Sequence, residues 1–592
     1  MTRRSFPSRL LAPTLAASGA LIATLVGQPA AHACGGFFCN NAQPVNQAAE
    51  RILFSTADDG TVTATIQIQY SGDADTFAWV LPVAGSPEVH VSSNLAFQRL
   101  QLATNPQYTL TTRIEGNCRD DFRGGPTANG GGFSASDASA SGPDAGVGPV
   151  TVVNAGTVGP YDFITISVDP ATERPSDTAV AWLRDNGYQI DESGAALLDP
   201  YLAGGMNLLA FRLTKGNSVG SIRPVEIVFG PGQASIPIRP TAVAAVADMG
   251  VMVWVLGPHR AVPANYASLE LNESLINWLN PASNYNDVVT EAANESGGQG
   301  FVTEMAGAAG PLADTIFAPW EHDQWESFRT TDWTGREGEM LNNVVNAFAG
   351  HDGVRDVIAA TVPLPPDRPG TTYEDVLSCV SCYYDWSITD IDGLTPETFL
   401  ASMQTNVIEP IERTRALFES APYMTRFYTT MSASEMTRDP AFDFNASLGD
   451  FSNLHTAERV IECSPSLSQF EAPWRVELPG GETVRGLGGS WPFDIATTTM
   501  PANDRILRYD TTGPGEVVTD NGPSIEAALA EHNATILRTG PGVVVGGGAS
   551  ALCSVSAAGS GDDARGLGVL ALAGLGLVLR RRAARVERKS RG

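Results

Sequence analysis

From residue 51 the apolar side chains recur at every second position, in "RILFST" (51–56), "TVTATIQIQYS" (61–71) and "TFAWVLPV" (76–83), parted by "ADDG" and "GDAD". Side chains of a strand point alternately to its two faces, so this period reads as antiparallel strands joined by turns. It returns in "YTLTTRIEG", "VVNAGTVGPYDFITISVD", "MNLLAFRLTK", "IRPVEIVFG", "ASIPIRPTAVAAV" and "GVMVWVLGPHR". Two stretches break it with helical spacing: "LAFQRLQLA" (95–103), and "SDTAVAWLRDNGYQI" with Ser176 as N-cap and Gly187 as stop. Beyond about residue 270 helical spacing takes over, in "ESLINWL", "NDVVTEAANES", "EMLNNVVNAFAG" and "TPETFLASMQTNVIEPIERTRALFES". The last is opened by Thr395 and Pro396 and interrupted at Pro410. "ERVIECS", "PWRVELPGGETVRGL" and "RILRYDTTGPGEVVTD" restore strands and hairpins, and "SIEAALAEHNATIL" closes with a helix. The expected class is α+β. A strand-rich domain of antiparallel sheets spans 34–270, a mainly helical region 271–445, and a small strand and hairpin region 446–540. Residues 123–149, too rich in Gly, Ser, Ala and Asp to bury a core, read as an insertion within the first domain.

The two ends speak of compartment. Residues 1–33 carry Arg3, Arg4 and Arg9, then an apolar run, then "AHA" before Cys34, the layout of an export signal cut by signal peptidase after Ala33. At the other end a linker from 541 leads through Cys553 to the apolar run 566–579, followed by Arg580, Arg581 and Arg582. As a helix that run reaches only about 21 Å, short of a hydrocarbon core of roughly 30 Å. It suits a stop-transfer tail with its arginines held on the cytoplasmic side. The order of cysteine, small-residue linker, apolar run and arginine cluster resembles the MYXO-CTERM sorting tail of myxobacterial surface proteins. That resemblance implies contact with the membrane through the tail, cleavage near Cys553 by a myxosortase-like sorting protease, and transfer to the outer-membrane surface of the cell envelope.

Charge narrows the partners. The leader and the residues after Cys553 hold eleven of the 37 basic and three of the 65 acidic side chains, leaving 26 basic and 62 acidic between them. A surface with that excess repels phosphate backbones and anionic lipid, which excludes nucleic acid and leaves divalent cations or basic partners as the better match. Lys215 is the only lysine of that stretch, so Schiff-base chemistry would rest on one position and is not expected. With Cys553 assigned to the tail, Cys34, Cys39, Cys118, Cys379, Cys382 and Cys463 form an even set in an oxidising compartment, which favours disulfides. Cys379 lies beside Cys382 in "SCVSCYYDW"; the other four allow Cys34 with Cys39 and Cys118 with Cys463, or crossed pairs. A redox role for "CVSC" needs a low-pKa thiolate, which the acidic "YEDVL" opposes, and zinc would need two further ligands. "CGGFFC" (34–39) reads as a pinned mature N-terminus, with Phe37 and Phe38 free to dock on a core.

"CGGFFC" with "NQAAERILF", "FAWVLPV", "VGPYDFITISVD", "AWLRDNGYQI", "IPIRPTAV", "GQGFVTEMAG" and "YMTRFYTTMSASEMTRDPAFDFN" resembles the DUF2330 family of exported bacterial proteins over roughly residues 30–445. Resemblance to that family implies export and a shared fold, and leaves the activity open.

Chemical motifs are sparse. HExxH, Walker A and a strand-following GxGxxG are all missing. His90, His259, His322, His351, His455 and His532 lie too far apart in sequence to make a local metal pair. "WEHDQWE" offers Glu321, His322, Asp323 and Glu326, read as a solvated amphipathic turn with Trp320 and Trp325 packed inward. Asp385, Asp390 and Asp392 suggest hard oxygen ligands for calcium. An EF-hand is rejected, because Ile388 and Phe399 occupy positions that need carboxylates, and the competing reading is an Asx-type turn. Glu304, Arg426, Glu435 and Arg438, set among apolar residues, read as buried ion pairs that fix helix packing. The favoured function is a non-enzymatic binding, adhesion or envelope-structural role, with no cofactor required and a surface ligand still to be named. The alternative is an exported hydrolase or metal-dependent enzyme whose site is assembled from distant residues. A concave pocket joining His322 or His455 to several carboxylates would favour it.

Overall fold

The computed structural model describes residues 47–67, 78–119, 150–188, 190, 192–214, 222–243 and 245–539. The export signal with Ala33, Cys34 and Cys39, the insertion 123–149, Lys215, Cys553, the apolar run 566–579 and Arg580 to Arg582 lie outside the described residues. Among the described residues no helix is long and apolar enough to cross a membrane.

The first part of the chain supplies strands β1 Gln47–Thr56, β2 Thr61–Gln67, β3 Ala78–Val83, β4 Glu88–Val91, β5 Gln107–Glu115, β6 Val150–Val158, β7 Tyr161–Val168, β8 Asn207–Leu213, β9 Val225–Pro231 and β10 Ala245–Gly257. The rest adds β11 Ala261–Pro263, β12 Ala267–Leu271, β13 Gly300–Ala308, β14 Tyr423–Met431, β15 Phe442–Phe444, β16 Leu454–Glu462, β17 Pro473–Glu477, β18 Thr483–Leu487, β19 Asn503–Arg508 and β20 Glu516–Asp520. Ten of them form one sheet in the order β20-β19-β12-β13-β14-β10-β1-β2-β9-β4. Two four-stranded sheets, β3-β8-β7-β6 and β18-β17-β16-β5, and the pair β11-β15 complete the set. The α+β class holds, with one refinement: β3-β8-β7-β6 and β11-β15 are antiparallel throughout, but the other two sheets are mixed. β1 runs parallel to β10, β12 to β13, and β5 to β16.

Strand β10 explains the core. Val251, Val253 and Val255 join one hydrophobic cluster with β3, β7 and β8, while Met252, Trp254 and Leu256 join another with the helices. A strand covered on both faces reads as an unbroken apolar run, which is how "GVMVWVLG" reads. A third cluster, with Trp278, Val288, Trp474 and Leu529, sits beneath β16 to β18 and the closing helix Gly522–Thr539. The large sheet crosses both borders drawn from periodicity, because β14 lies between β10 and β13, and β19 beside β12. Disulfides join Cys118 to Cys463 just beyond the ends of β5 and β16, and Cys379 to Cys382.

Local expectations differ in four places. "ASIPIRPTAVAAV" forms no strand before β10 but a 3-10 turn at Pro240–Val243, since Pro237 and Pro240 have no N–H to give a ladder. "ESLINWL" is no helix: Asn272 accepts hydrogen bonds from the Ser274 backbone and hydroxyl, leaving only the short turn Glu273–Leu275. Ser176 lies inside the helix Pro175–Asp185, which Arg174 precedes and Pro175 opens, while Gly187, at φ +84°, follows its end as a left-handed stop. At Pro410 the helices Pro396–Met403 and Glu409–Ser420 join through a π-helical turn at Gln404–Ile408, and Pro410 sits in the first turn of the second, where its missing N–H costs nothing.

Candidate functional site

Four separate segments meet at one wall. Strand β13 carries a bulge against β14: Thr303 faces Phe427 and Met305 faces Arg426, so Glu304 is the extra residue. Its side chain is 2 % exposed. Arg426 of β14 pairs with Glu304 Oε2 at 2.6 Å, and the Tyr285 hydroxyl donates to Oε1 at 2.6 Å. The guanidinium also donates to the Gln101 carbonyl, Thr104 Oγ1 and Asn105 Oδ1, and lies over the Trp254 ring. Burial pushes the Glu304 carboxyl up and Arg426 pulls it down; burial wins, and it stands above the ordinary carboxylate range.

Next to this pair, the parallel register of β5 and β16 sets His455 opposite Tyr108. Their rings stack at 4.6 Å and 14°, and Tyr108 meets Trp278 edge-on at 5.0 Å. His455 Nδ1–H donates to Glu273 Oε1 at 2.5 Å. In the neutral imidazole that bond places the proton on Nδ1 and leaves Nε2 with a lone pair. Among the described residues none hydrogen-bonds Nε2.

Two cavities flank the wall. The smaller, about 420 Å³, is lined by His455, Glu270, Glu273, Glu482, Asp504, Arg260, Arg505 and Tyr509, and the larger, about 1130 Å³, by Glu50, Arg51, Asp248, Asp287, Asp494, Arg426 and Tyr428. Pro106, Tyr108, Tyr285 and Glu304 line both. Glu270 is held by Arg505 at 2.7 Å, yet burial raises its carboxyl. Burial raises Asp504 as well; Arg505 opposes that shift, while the carboxylates of Glu482, Asp520 and Glu526 add to it. Arg260 lies over the Phe451 ring and donates to the Gly449 carbonyl; among the described residues no carboxylate is in ion-pair contact with it, though Glu270 acts on it at longer range. The smaller cavity thus offers a lone-pair nitrogen, hydrogen-bonding carboxylates and one cation not held in an ion pair.

The other expected groups go elsewhere. On the helix Pro319–Thr330 Trp325 is 1 % exposed, but Trp320 is 64 % exposed and not packed inward as expected. Glu321 turns inward to Arg99 and His351, while His322 faces Glu412 at 3.7 Å, so the cluster is divided between two sides. Asp385 accepts from the Ser387 backbone and hydroxyl in an Asx-type turn, and Asp390 and Asp392 are exposed. Among the described residues no three His, Cys, Asp or Glu side chains form a group able to hold a metal ion. Glu304 and Arg426 make the buried pair, though between strands and not helices. Glu435 instead accepts from the Ser432 backbone, and Arg438 is exposed and donates to Gln299. Glu273, Tyr108 and Tyr285 carry no local signal in the sequence; the fold alone brings them to His455.

The model of the DUF2330 family, described as an uncharacterized protein conserved in bacteria, matches residues 28–316. That segment belongs to the DUF2330 family. The matched segment ends short of residue 445; it includes Glu304, Tyr108 and Glu273 and stops before Arg426 and His455. No curated protein and no solved structure matches the chain.

Proposed function

We propose that this chain is an exported bacterial envelope protein, sorted to the outer-membrane surface through its C-terminal tail, that binds a small polar ligand at the wall of Tyr108, Tyr285 and Glu304. One observation carries the binding reading: Glu304, buried between strands in a pair with Arg426, forms part of the wall shared by two cavities, where desolvated groups recognise polar ligands most selectively. The leader, the tail and the two disulfides support the compartment. The test is thermal unfolding of the full chain against a panel of amines, amino acids and neutral sugars. One chemical class should raise the transition temperature of the native chain and leave a Tyr285→Phe chain unmoved. No response to any class would remove the reading.

A second reading has its own support. His455 shares a concave pocket with Glu270, Glu273, Glu304, Glu482 and Asp504, the arrangement that favours an exported hydrolase assembled from distant residues.

A further inference from the structure

We infer that His455 and Glu273 form a water-activating pair, and that the smaller cavity hydrolyses small neutral or cationic carboxylic esters; this rests on the hydrolase reading of the same site. Three features carry the inference. The imidazole is anchored at Nδ1 by Glu273 at 2.5 Å, the orientation a general base requires. Its opposite nitrogen has no hydrogen-bond partner among the described residues and belongs to a ring that lines a cavity of about 420 Å³, room for a small substrate and a water. The Tyr108 ring, stacked at 4.6 Å, prevents the imidazole from swinging away.

In the step itself, Nε2 takes a proton from water while that water's oxygen bonds to the acyl carbon. The resulting oxyanion collapses, the bond from acyl carbon to alkoxy oxygen breaks, and the alcohol leaves with the proton held on Nε2. Acid and alcohol are the products, and nothing is oxidised or reduced. His455 is the catalytic residue. Glu273 is a positioning residue, which orients the ring and stabilises the imidazolium. Arg260, in ion-pair contact with no carboxylate among the described residues, is the cation on the lining available to the developing oxyanion. The substrate class follows from charge. Carboxylates outnumber arginines around the cavity and the whole chain is at −28, so phosphate esters and other anions are repelled.

The experiment uses the full chain with p-nitrophenyl acetate as neutral probe, acetylthiocholine as cationic probe and p-nitrophenyl phosphate as anionic control. The two acyl esters should be hydrolysed and the phosphate left intact. His455→Gln should lower kcat by about 100-fold or more, the usual span of general-base catalysis. Glu273→Gln should lower kcat about tenfold with KM unchanged, a split that a merely structural contact would not produce. Equal rates for native and His455→Gln chains, or no turnover above buffer, would overturn the inference. Should His455→Gln not fold, diethyl pyrocarbonate on the native chain decides: activity lost in step with His455 modification supports the pair, and modification without loss refutes it. Thermal shifts on the same samples keep the two ideas apart. A chain that binds the esters without turning them over removes only the catalytic pair, and one that does neither removes the cleft as well.

Discussion

Two of the histidine–glutamate pairs in the molecule have opposite surroundings. In the helical layer Glu321 and His351 are each 4 % exposed, and the carboxylate takes two hydrogen bonds from Arg99, one from the Ala318 backbone and one from His351 Nε2. At the wall of the smaller cavity His455 and Glu273 are 17 % and 24 % exposed and share one bond; His455 Nε2 has no hydrogen bond among the described residues, as is true of the buried His351 Nδ1, but here the carboxylate too is left with Oε2 unpartnered. The chemistry of the side chains is the same. Saturation and access differ, and they separate a brace from a reagent. Glu50 adds the opposite extreme: a buried carboxyl, with Oε2 unpartnered, that burial alone pushes up to about 7.

The contrast can be broken experimentally. The largest effect is expected from Glu321→Ala, which leaves Arg99 without its counter-ion in a nearly closed site; urea unfolding at neutral pH should show a loss of about 3–4 kcal/mol. A smaller stability loss than that for Glu273→Ala would reverse the assignment of brace and reagent. Next comes acid. Burial raises the Glu321 carboxyl, but the bonds from His351, Arg99 and Ala318 outweigh it and hold it at about 2. A depressed carboxylate stabilises the fold above its ordinary value near 4.5 and ceases to do so as pH falls through about 2, so about 3 kcal/mol should vanish across that window. Glu321→Gln should flatten that limb of the stability curve.

Glu50 acts with the opposite sign. Below pH 4.5 it is neutral folded or unfolded; above, the unfolded chain ionises first, and the folded state loses relative stability until about pH 7. Glu50→Gln should therefore stabilise the fold by about 3 kcal/mol at pH 8 and hardly at all at pH 4, as read by parallel denaturation curves. The smallest effect belongs to Glu273→Gln. A partly exposed pair contributes less than about 1 kcal/mol, so its melting curve should almost overlay that of the native chain.

How much of this was readable beforehand depended on range. Alternation revealed β1, β2, β7 and β8 and the hairpin of β17 and β18 at its Gly480–Gly481 turn, because period two is a local property. It could not reveal parallel pairing. His455 reaches Tyr108 only because β16 docks beside β5 from the far end of the chain, and Glu304 enters the wall only because β13 bulges. The misplacement of Trp320 was avoidable. Residues five apart on a helix stand about 140° around the axis from each other, so Trp320 and Trp325 do not share one inward face.

The seat of β14 between β10 and β13 also sets a schedule. The ribosome finishes β10 roughly 170 residues before it begins β14, a delay on the order of 10–30 s at ordinary synthesis speed. Throughout that interval the newborn chain carries the apolar run Gly250–Gly257 without the neighbour that will cover that side of it, a sticky edge in a crowded cell.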